Sequence, residues 1–119
     1  MDPVEIVGGC LCGQVRFRVT GEKMQATLCH CGNCRKASGA QSLAWVTGPV
    51  NRFSWEKEPA NYQSDTKAIW SFCSHCGTTL TYQHGRRPDD IDITVGSLDN
   101  PEDFPPTRHY AEDEKLSWT

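Results

Sequence analysis

The chain has 119 residues, of which 37% are hydrophobic and 23% are charged, and its formal net charge is −3. This is the length of one domain, residues 1–119, and no stretch approaches the ~18 apolar residues that span a membrane. Without such a stretch, we expect a soluble, cytoplasmic protein that does not bind a membrane. The acidic balance disfavours nucleic-acid binding, which normally needs a basic face.

Short strands dominate the predicted elements. In chain order they cover residues 15–19, 43–46, 52–55, 68–72 and 91–95. Phe17 and Val19 alternate with arginines, and Ile91 and Ile93 alternate with polar residues, which is the period of a half-buried strand. Turn-forming glycine and proline residues separate these runs. The pattern predicts a small, mainly β domain of several short antiparallel strands.

One short helix is predicted from Asn33 to Ser38, so the fold has at most one or two helical turns. Asn33 is a suitable N-cap residue, because its side chain can accept a hydrogen bond from a backbone N–H of the first turn. Gly39 suits the left-handed position just past the helix end.

The tail, residues 99–119, differs in composition from the strand-rich part. It has three prolines, six carboxylates and four isolated hydrophobic residues. The four hydrophobic residues are Phe104, Tyr110, Leu116 and Trp118. We expect irregular chain that packs on the sheet through these side chains, since a disordered tail would have fewer of them.

Seven cysteines fall in three clusters. They are Cys10 and Cys12, then Cys29, Cys31 and Cys34, then Cys73 and Cys76. A disulfide framework is disfavoured, because the count is odd and the N-terminus lacks the cationic start and apolar run of a signal peptide. Clustered Cys-x-x-Cys units in a cytosolic chain are typical of metal binding or thiol chemistry. Zinc is favoured, with four thiolates for a closed site or three for an open one.

The spacing suggests how the ligands divide between two zinc ions. The middle cluster has three thiols within six residues, so Cys29, Cys31 and Cys34 can meet at one ion and leave its fourth position open. The two remaining pairs then make a closed structural site. Its ligands would be Cys10, Cys12, Cys73 and Cys76. Glycines beside each cluster favour tight turns that aim backbone N–H groups at metal-bound sulfur.

A histidine is the rival ligand, in a closed site of three thiolates and one imidazole. His30 and His75 each lie between two cysteines and would point away from a metal that those cysteines share. His84 lies in a polar loop. His109 is the best remaining candidate, as a fourth ligand, as an acid or base near the open zinc, or as a packed histidine without a role.

Two basic residues directly follow the middle cluster. Arg35 and Lys36 come after Cys34, and a guanidinium or ammonium group there is suited to a substrate carboxylate. Arg86 and Arg87 lie in a polar loop and are predicted to be solvated surface. We therefore expect Arg35 and Lys36, but not the second pair, to contact a substrate held at the middle cluster.

Five motifs together carry a resemblance to a known family. They are Gly9-Cys10-x-Cys12-Gly13, Cys29-His30-Cys31-x-x-Cys34-Arg35, Phe72-Cys73-x-x-Cys76-Gly77, Val95-Gly96-Ser97-Leu98-Asp99-x-Pro101 and Pro106-x-x-His109. Through these motifs the chain resembles the glutathione-dependent formaldehyde-activating enzyme family, which includes the centromere protein V domain. The resemblance runs from residue 8 to residue 118. The resemblance implies a zinc-stabilised Mss4-like (β-tent) fold. It also implies the ligand partition given above, with the three-cysteine zinc catalytic.

The resemblance implies a carbon–sulfur lyase that acts on S-hydroxymethylglutathione, the adduct of formaldehyde and glutathione. The expected partner is then a small thiol or thiol adduct, with glutathione as a co-substrate. The residues suit this chemistry, because a zinc with three thiolates binds a fourth soft ligand such as a thiol sulfur. That sulfur would attack a carbonyl or be released from a hemithioacetal, while His109 or a zinc-bound water moves the proton.

Two other classes stay open. A non-catalytic, zinc-stabilised module that binds a protein partner predicts a closed second site and an exposed apolar patch. A thiol redox or metal-storage protein predicts easy oxidation and metal loss at the middle cluster. The odd count, which leaves three thiolates after one closed site, favours the enzyme.

Overall fold

The computed structural model describes residues 3–22, 24–65 and 67–119, so residues 1 and 2 of the predicted domain, Lys23 and Thr66 lie outside the described residues. Ten strands and one α-helix, α1 (Gly32–Ser38), lie in those ranges. The strands are β1 (Val4–Gly9), β2 (Arg16–Gly21), β3 (Ala26–Cys29), β4 (Leu43–Pro49), β5 (Phe53–Trp55), β6 (Ala60–Gln63), β7 (Ala68–Phe72), β8 (Thr79–His84), β9 (Asp90–Thr94) and β10 (Arg108–Tyr110). Short 3₁₀ turns are Val50–Arg52, Val95–Ser97, Pro101–Asp103 and Glu112–Glu114.

The strands form two sheets. One has three strands in the order β1-β2-β5, and the other has seven in the order β10-β3-β4-β9-β8-β7-β6. Among the described strands, all neighbours are antiparallel except β3 and β10, which pair in parallel with Tyr110 beside Cys29. The prediction of a mainly β fold with one short helix is confirmed.

The main hydrophobic core joins the two sheets. Phe17 and Val19 of β2 pack with Val46 of β4 and Ile93 of β9, and none of the four is more than 1% exposed. The Phe17 ring also stacks on Phe53 of β5, with the ring centroids 5.6 Å apart. Each such buried side chain contributes about 1.5–3 kcal/mol to folding. This core fixes β1 and β2, and the loop that follows β1, against the larger sheet.

The five predicted strands correspond to β2, β4, β5, β7 and β9. In β9 the alternation predicted one exposed face, but Asp92 and Thr94 are buried, so both faces of this central strand are covered. Asp92 accepts a hydrogen bond from the Thr47 hydroxyl at 2.6 Å and forms an ion pair with Arg87. A buried carboxylate needs such partners, since an unpaired one would be strongly destabilising.

The helix α1 begins one residue before its prediction. The predicted Asn33 cap is wrong, because the chain is already helical at Gly32 and the N-cap is Cys31, whose Sγ accepts the Cys34 N–H at 3.3 Å. Gly39 follows the helix in the left-handed conformation, with a φ of 72°, as predicted. In the described ranges, no helix is long and apolar enough to cross a membrane.

The tail is less irregular than predicted. Its residues Arg108–Tyr110 form β10 at the edge of the larger sheet, and all three side chains are exposed, so no hydrophobic alternation indicates this strand. Phe104 packs against the main core and Leu116 is half-buried. Tyr110 and Trp118 are 64% and 70% exposed, so the predicted anchoring through them is absent.

An ion pair links β2 to the start of the tail. The Arg16 guanidinium donates two hydrogen bonds to the Asp99 carboxylate, at 3.0 and 2.6 Å. These bonds hold the pKa of Asp99 below its ordinary value. Because the folded pKa is the lower one, the pair stabilises the fold fully above the ordinary aspartate pKa of about 4. That contribution is lost as the pH falls through the lower, folded pKa.

We expect Asp99→Asn to lower the free energy of unfolding at pH 7 by at most about 1 kcal/mol, since both side chains of the pair are partly exposed. The difference from the unchanged protein should shrink at pH 3. Urea unfolding of both proteins at the two pH values measures it. A difference that is the same at both pH values would show that the carboxylate charge has no part in the effect.

Candidate metal centres

The first cysteine cluster joins two loops that are distant in sequence. Cys10 and Cys12 follow β1, whereas Cys73 and Cys76 lie between β7 and β8. The four sulfur atoms lie within 4.8 Å of one another. The Cys12 Sγ is 3.5 Å from that of Cys10 and 3.7 Å from that of Cys73. The structure therefore brings together the four predicted ligands of the structural site, which we call the four-cysteine cluster.

Two similar turns hold the four-cysteine cluster. The Gly13 N–H donates to the Cys10 carbonyl at 3.1 Å, and the Gly77 N–H donates to the Cys73 carbonyl at 2.8 Å. Both glycines have a φ of 83°, which a residue with a Cβ adopts only with strain. The two glycines that follow the cysteine pairs are thus required by the backbone conformation of the turns.

Hydrogen-bond donors also point at the sulfur atoms of this cluster. The Val15 N–H lies 3.2 Å from the Cys10 Sγ, and the Cys76 N–H lies 3.5 Å from the Cys73 Sγ. The Thr78 hydroxyl, 3.2 Å from the Cys76 Sγ, is the main cause that lowers the pKa of Cys76 to about 5. Such donors favour the thiolate, which is the form of cysteine that binds metal.

The four-cysteine cluster fits a tetrahedral zinc ion. With Zn–S bonds of about 2.3 Å, neighbouring sulfur atoms of a regular tetrahedron lie about 3.8 Å apart. The observed S···S distances of 3.5 and 3.7 Å are close to that edge. They are far from the ~2.0 Å of a disulfide bond, and all seven cysteines are free thiols. This donor set is therefore suited to a closed, structural metal site.

The second cluster lies where β3 meets α1. Cys29 ends β3, Cys31 caps α1, and Cys34 lies in its first turn. The Cys29 Sγ is 3.3 Å from the Cys31 Sγ and 2.9 Å from the Cys34 Sγ. These distances are below the ~3.8 Å tetrahedral edge, so the sulfur atoms must separate by up to about 1 Å to hold zinc. We call this set the three-cysteine cluster.

The three-cysteine cluster has no fourth ligand among the described residues. All three sulfur atoms lie within 4.8 Å of one another, and neither a histidine nor a carboxylate of the described chain joins them at that distance. The rival site with His109 as its fourth ligand is therefore not formed. A metal ion held here has one coordination position left for water or a substrate atom.

Sulfur–sulfur contacts divide the protons unequally in this cluster. The hydrogen bond from the Cys34 thiol is the main cause that lowers the pKa of Cys29 to about 6. The same bond, together with burial, raises the pKa of Cys34. Thiolates at this distance repel one another unless a cation lies between them, so the cluster favours metal binding.

An aromatic cluster lies behind Cys34. The Trp45 Nε1–H donates to the Cys34 Sγ at 3.4 Å. The Trp45 ring lies 5.9 Å from that of Trp70 and 6.1 Å from that of Tyr82, between centroids. The sequence places Trp45 in a strand but does not predict this contact. It depends on how β4 packs beside α1, and no spacing of residues indicates it.

The structure places His109 beside another histidine. Its Nδ1 is 3.0 Å from the Nε2 of His30, and the two rings are nearly coplanar, at 5°. His30 is only 3% exposed and lies between Cys29 and Cys31. The parallel pairing of β10 with β3 thus brings His109 to the loop that carries the three-cysteine cluster. Its part in proton transfer stays a prediction.

Arg35 makes hydrogen bonds within the protein that the sequence does not predict. Its guanidinium donates to the carbonyl oxygens of His30 and Glu114, the second at 2.9 Å. The Glu114 carboxylate in turn accepts the Gly32 N–H at 3.1 Å. Arg35 and Glu114 therefore tie the tail to the loop of the three-cysteine cluster. Lys36 is exposed and has no ion pair in the part of the chain that the structure describes.

A groove of about 610 Å³ adjoins the four-cysteine cluster and not the three-cysteine cluster. Its lining includes Cys10 and Cys76 of the four-cysteine cluster and also Ala37 and Ser38, at the C-terminal end of α1. The three-cysteine cluster lies at the opposite end of α1. The groove is thus separate from the predicted catalytic residues.

A known protein family matches nearly the whole chain. The family model described as "Glutathione-dependent formaldehyde-activating enzyme" matches residues 5–113, a range that contains both cysteine clusters and His109. The chain belongs to this family. The resemblance indicated by the five motifs is therefore confirmed.

Two relatives are similar to this chain over most of its length. This chain is 31% identical over 94 residues to an "uncharacterized lyase" of Schizosaccharomyces pombe. That match covers 71% of this chain and 63% of the relative. The chain is 28% identical over 121 residues to a "putative glutathione-dependent formaldehyde-activating enzyme" of Halomonas elongata, with 93% and 77% covered. The chain thus spans less than two thirds of the yeast relative.

A solved structure supports the fold of this family member. A crystal structure of a Rhodobacter sphaeroides protein matches it with a TM-score of 0.68 and 25% sequence identity. The match covers 87% of this chain and 98% of that one. Because the match takes in nearly all of the other protein, the two chains share their overall architecture.

Proposed function

We propose that this family member is a zinc-dependent carbon–sulfur lyase that acts on the adduct of a small thiol and formaldehyde, such as S-hydroxymethylglutathione. The observation that carries the proposal is the division of seven sulfur atoms into a set of four and a set of three. Only the second set leaves a coordination position for a substrate sulfur. The family description and the name of the Halomonas relative agree with a thiol and formaldehyde as the reactants.

The proposal assigns one zinc ion to each cluster. The four-cysteine zinc is structural and joins the loop after β1 to the loop between β7 and β8. When bound, the three-cysteine zinc supplies a fourth position at which a substrate sulfur is stabilised as a thiolate. Cys29, Cys31 and Cys34 hold that ion and, as soft ligands, favour sulfur as its fourth partner.

The proposed reaction cleaves a hydroxymethyl thioether into a thiol and formaldehyde. The C–S bond breaks and its electron pair stays on sulfur. The electron pair of the hydroxyl O–H bond becomes the second C–O bond of formaldehyde, and the hydroxyl proton is transferred to a base. The released sulfur regains one proton, so neither an oxidant nor a reductant is needed. The reverse reaction forms the adduct.

His109 is the proposed base, through its Nε2. The contact of its Nδ1 with His30, at 3.0 Å, fixes the direction of the ring. His30 is held in turn by its burial between Cys29 and Cys31. These contacts support a fixed orientation of the imidazole, and its strand β10 pairs with β3, which ends at Cys29. A general base must also come within hydrogen-bond distance of the proton that it removes.

The proposal is tested by the rate of exchange at equilibrium, because formaldehyde and glutathione form their adduct without a catalyst. Exchange NMR with isotope-labelled formaldehyde measures the rate with and without catalytic amounts of the zinc-loaded protein. We expect faster exchange with the zinc-loaded protein and no increase with protein stripped of metal. Replacing glutathione by free cysteine shows whether the peptide part of the thiol is recognised.

Unchanged exchange with both thiols would contradict the lyase proposal. In that case a zinc-stabilised protein-binding module becomes the better hypothesis. The zinc content of the same samples serves as the control, since a protein that carries only one zinc ion lacks the proposed catalytic site and does not test the reaction.

A further inference from the structure

Trp45 makes a hydrogen bond to one sulfur of the three-cysteine cluster from the interior of the protein. Its Nε1 lies 3.4 Å from the Cys34 Sγ. Both residues are buried, with 6% and 7% of their surface exposed. An indole N–H can only donate, so the sulfur is the acceptor. Because both groups are buried, water does not take the place of either partner in this hydrogen bond.

The Trp45 ring is fixed by two other aromatic rings. Trp70 and Tyr82 lie 5.9 and 6.1 Å from it, and their own centroids are 4.8 Å apart. These side chains and the buried cysteines form the second, smaller core. A tightly packed ring cannot turn away, so the N–H group is held in the direction of Cys34 whether or not a metal ion is bound.

The other sulfur atoms of the cluster have different surroundings. The Cys31 Sγ accepts a backbone N–H, that of Cys34, as part of the helix cap. Among the described residues, Cys34 is the member of the cluster that receives a donor from a side chain outside the Cys29–Cys34 loop. A donor of this kind fixes the ligand atom and withdraws charge from a thiolate, and it thereby changes how strongly the sulfur donates to a metal ion.

We propose that Trp45 is a positioning residue for the three-cysteine metal site. It holds the Cys34 sulfur in place and reduces the charge that this thiolate gives to the metal, so that the ion keeps more affinity for a fourth, substrate sulfur. The inference rests on the proposed function for the presence of that substrate. The contact with Cys34 itself, and its effect on metal binding, are independent of any reaction.

The chain offers a matched control. Trp70 belongs to the same aromatic cluster and is similarly buried, at 9% exposed, but it makes no hydrogen bond to sulfur in the described structure. Trp45→Phe removes the N–H group and keeps an aromatic ring, whereas Trp70→Phe changes the packing alone. A purely structural role for Trp45 predicts similar results for the two variants.

The experiment measures zinc affinity of the three-cysteine cluster by chelator competition, without thiol or aldehyde present. Cys31→Ser identifies which step of the titration belongs to this cluster. We expect Trp45→Phe to weaken zinc binding at this site by about tenfold or more, in the range found for groups that orient metal ligands. The loss of the fixed sulfur position then outweighs the greater charge that the thiolate donates once the N–H group is gone. Trp70→Phe should change it by less than about threefold, and the four-cysteine zinc should be unaffected in both.

A cobalt spectrum gives the second readout. The thiolate-to-cobalt absorption bands of the three-cysteine cluster, taken as the difference from Cys31→Ser, should shift in Trp45→Phe and stay in place in Trp70→Phe. If Trp45→Phe folds poorly, Trp45 can be replaced site-specifically by benzothienylalanine, which has the indole shape with sulfur in place of N–H. This replacement should show the same shift. Equal affinities and spectra for the unchanged protein and both Trp45 replacements would overturn the proposal.

These outcomes are separate from those of the lyase test. A cobalt shift without any acceleration of formaldehyde exchange keeps the role of Trp45 at the metal and removes the proposed reaction. If the zinc-loaded protein accelerates exchange, and Trp45→Phe shows the same acceleration and the same spectra, the reaction is supported and the role of Trp45 is not.

Discussion

Cys73→Ser is expected to leave the chain largely unfolded at 25 °C, even with zinc present. Cys73 is 1% exposed, and its sulfur lies 3.7 Å from that of Cys12, at the junction of the two loops. A structural zinc site contributes on the order of 10 kcal/mol to folding, whereas the net stability of a domain is about 5–15 kcal/mol. Losing one of its four ligands therefore removes much of the stability of the fold.

Circular dichroism, urea unfolding and zinc content together measure this effect. In the unchanged protein, a chelator that removes the structural zinc should cause a similar loss of structure. A Cys73→Ser protein that unfolds cooperatively, within about 2 kcal/mol of the unchanged protein, would show that the four-cysteine cluster does not hold a structural metal.

Cys31→Ser is expected to abolish the acceleration of formaldehyde exchange while the protein stays folded with one zinc ion. Serine is among the best N-cap residues, so its hydroxyl can accept the Cys34 N–H in place of the sulfur and preserve the start of α1. Cys31 is half-buried, unlike Cys29 and Cys34, so the change creates little empty space in the core. The expected effect is thus on the site and not on the fold.

Zinc content and the urea midpoint test the first part of this expectation, and exchange NMR tests the second. We expect the free energy of unfolding of Cys31→Ser to stay within about 2 kcal/mol of the unchanged protein. If this variant unfolds as badly as Cys73→Ser, the division into a structural and a catalytic cluster is wrong. If it folds and still accelerates exchange, the catalytic role of the three-cysteine cluster is wrong.

The strands that the sequence indicates are those that have one hydrophobic face or a β-rich run. The described strands without a prediction are β1, β3, β6, β8 and β10. β3 has only four residues, and β6 and β10 are at the two edges of the larger sheet, with mostly exposed side chains. Such strands depend on backbone pairing with a neighbour, and pairing leaves no periodic pattern in the residues.

The same limit applies to the side chains around the three-cysteine cluster. The cysteines are close in sequence and can therefore be grouped by their spacing. Trp45, Glu114 and His109 reach the cluster or its loop through strand order and tail packing, which bring together residues that are distant in sequence. Arg35 was predicted to contact a substrate, and the sequence does not indicate the two carbonyl groups of the tail and the cluster loop that accept hydrogen bonds from its Nη1. The substrate contact stays a prediction.

The sequence by itself determined that this chain is mainly β, that it belongs to its family, and that its seven cysteines divide into groups of four and three. The strands follow from periodicity and turn-forming glycines, and the group of three cysteines follows from their close spacing. The group of four follows from the two pairs that then remain. Only the tertiary structure decided that β10 pairs in parallel with β3, that His109 contacts His30, and that Trp45 donates to Cys34. Each of these depends on the packing of distant segments against one another, because a contact between them is specified by the whole core and not by either segment alone.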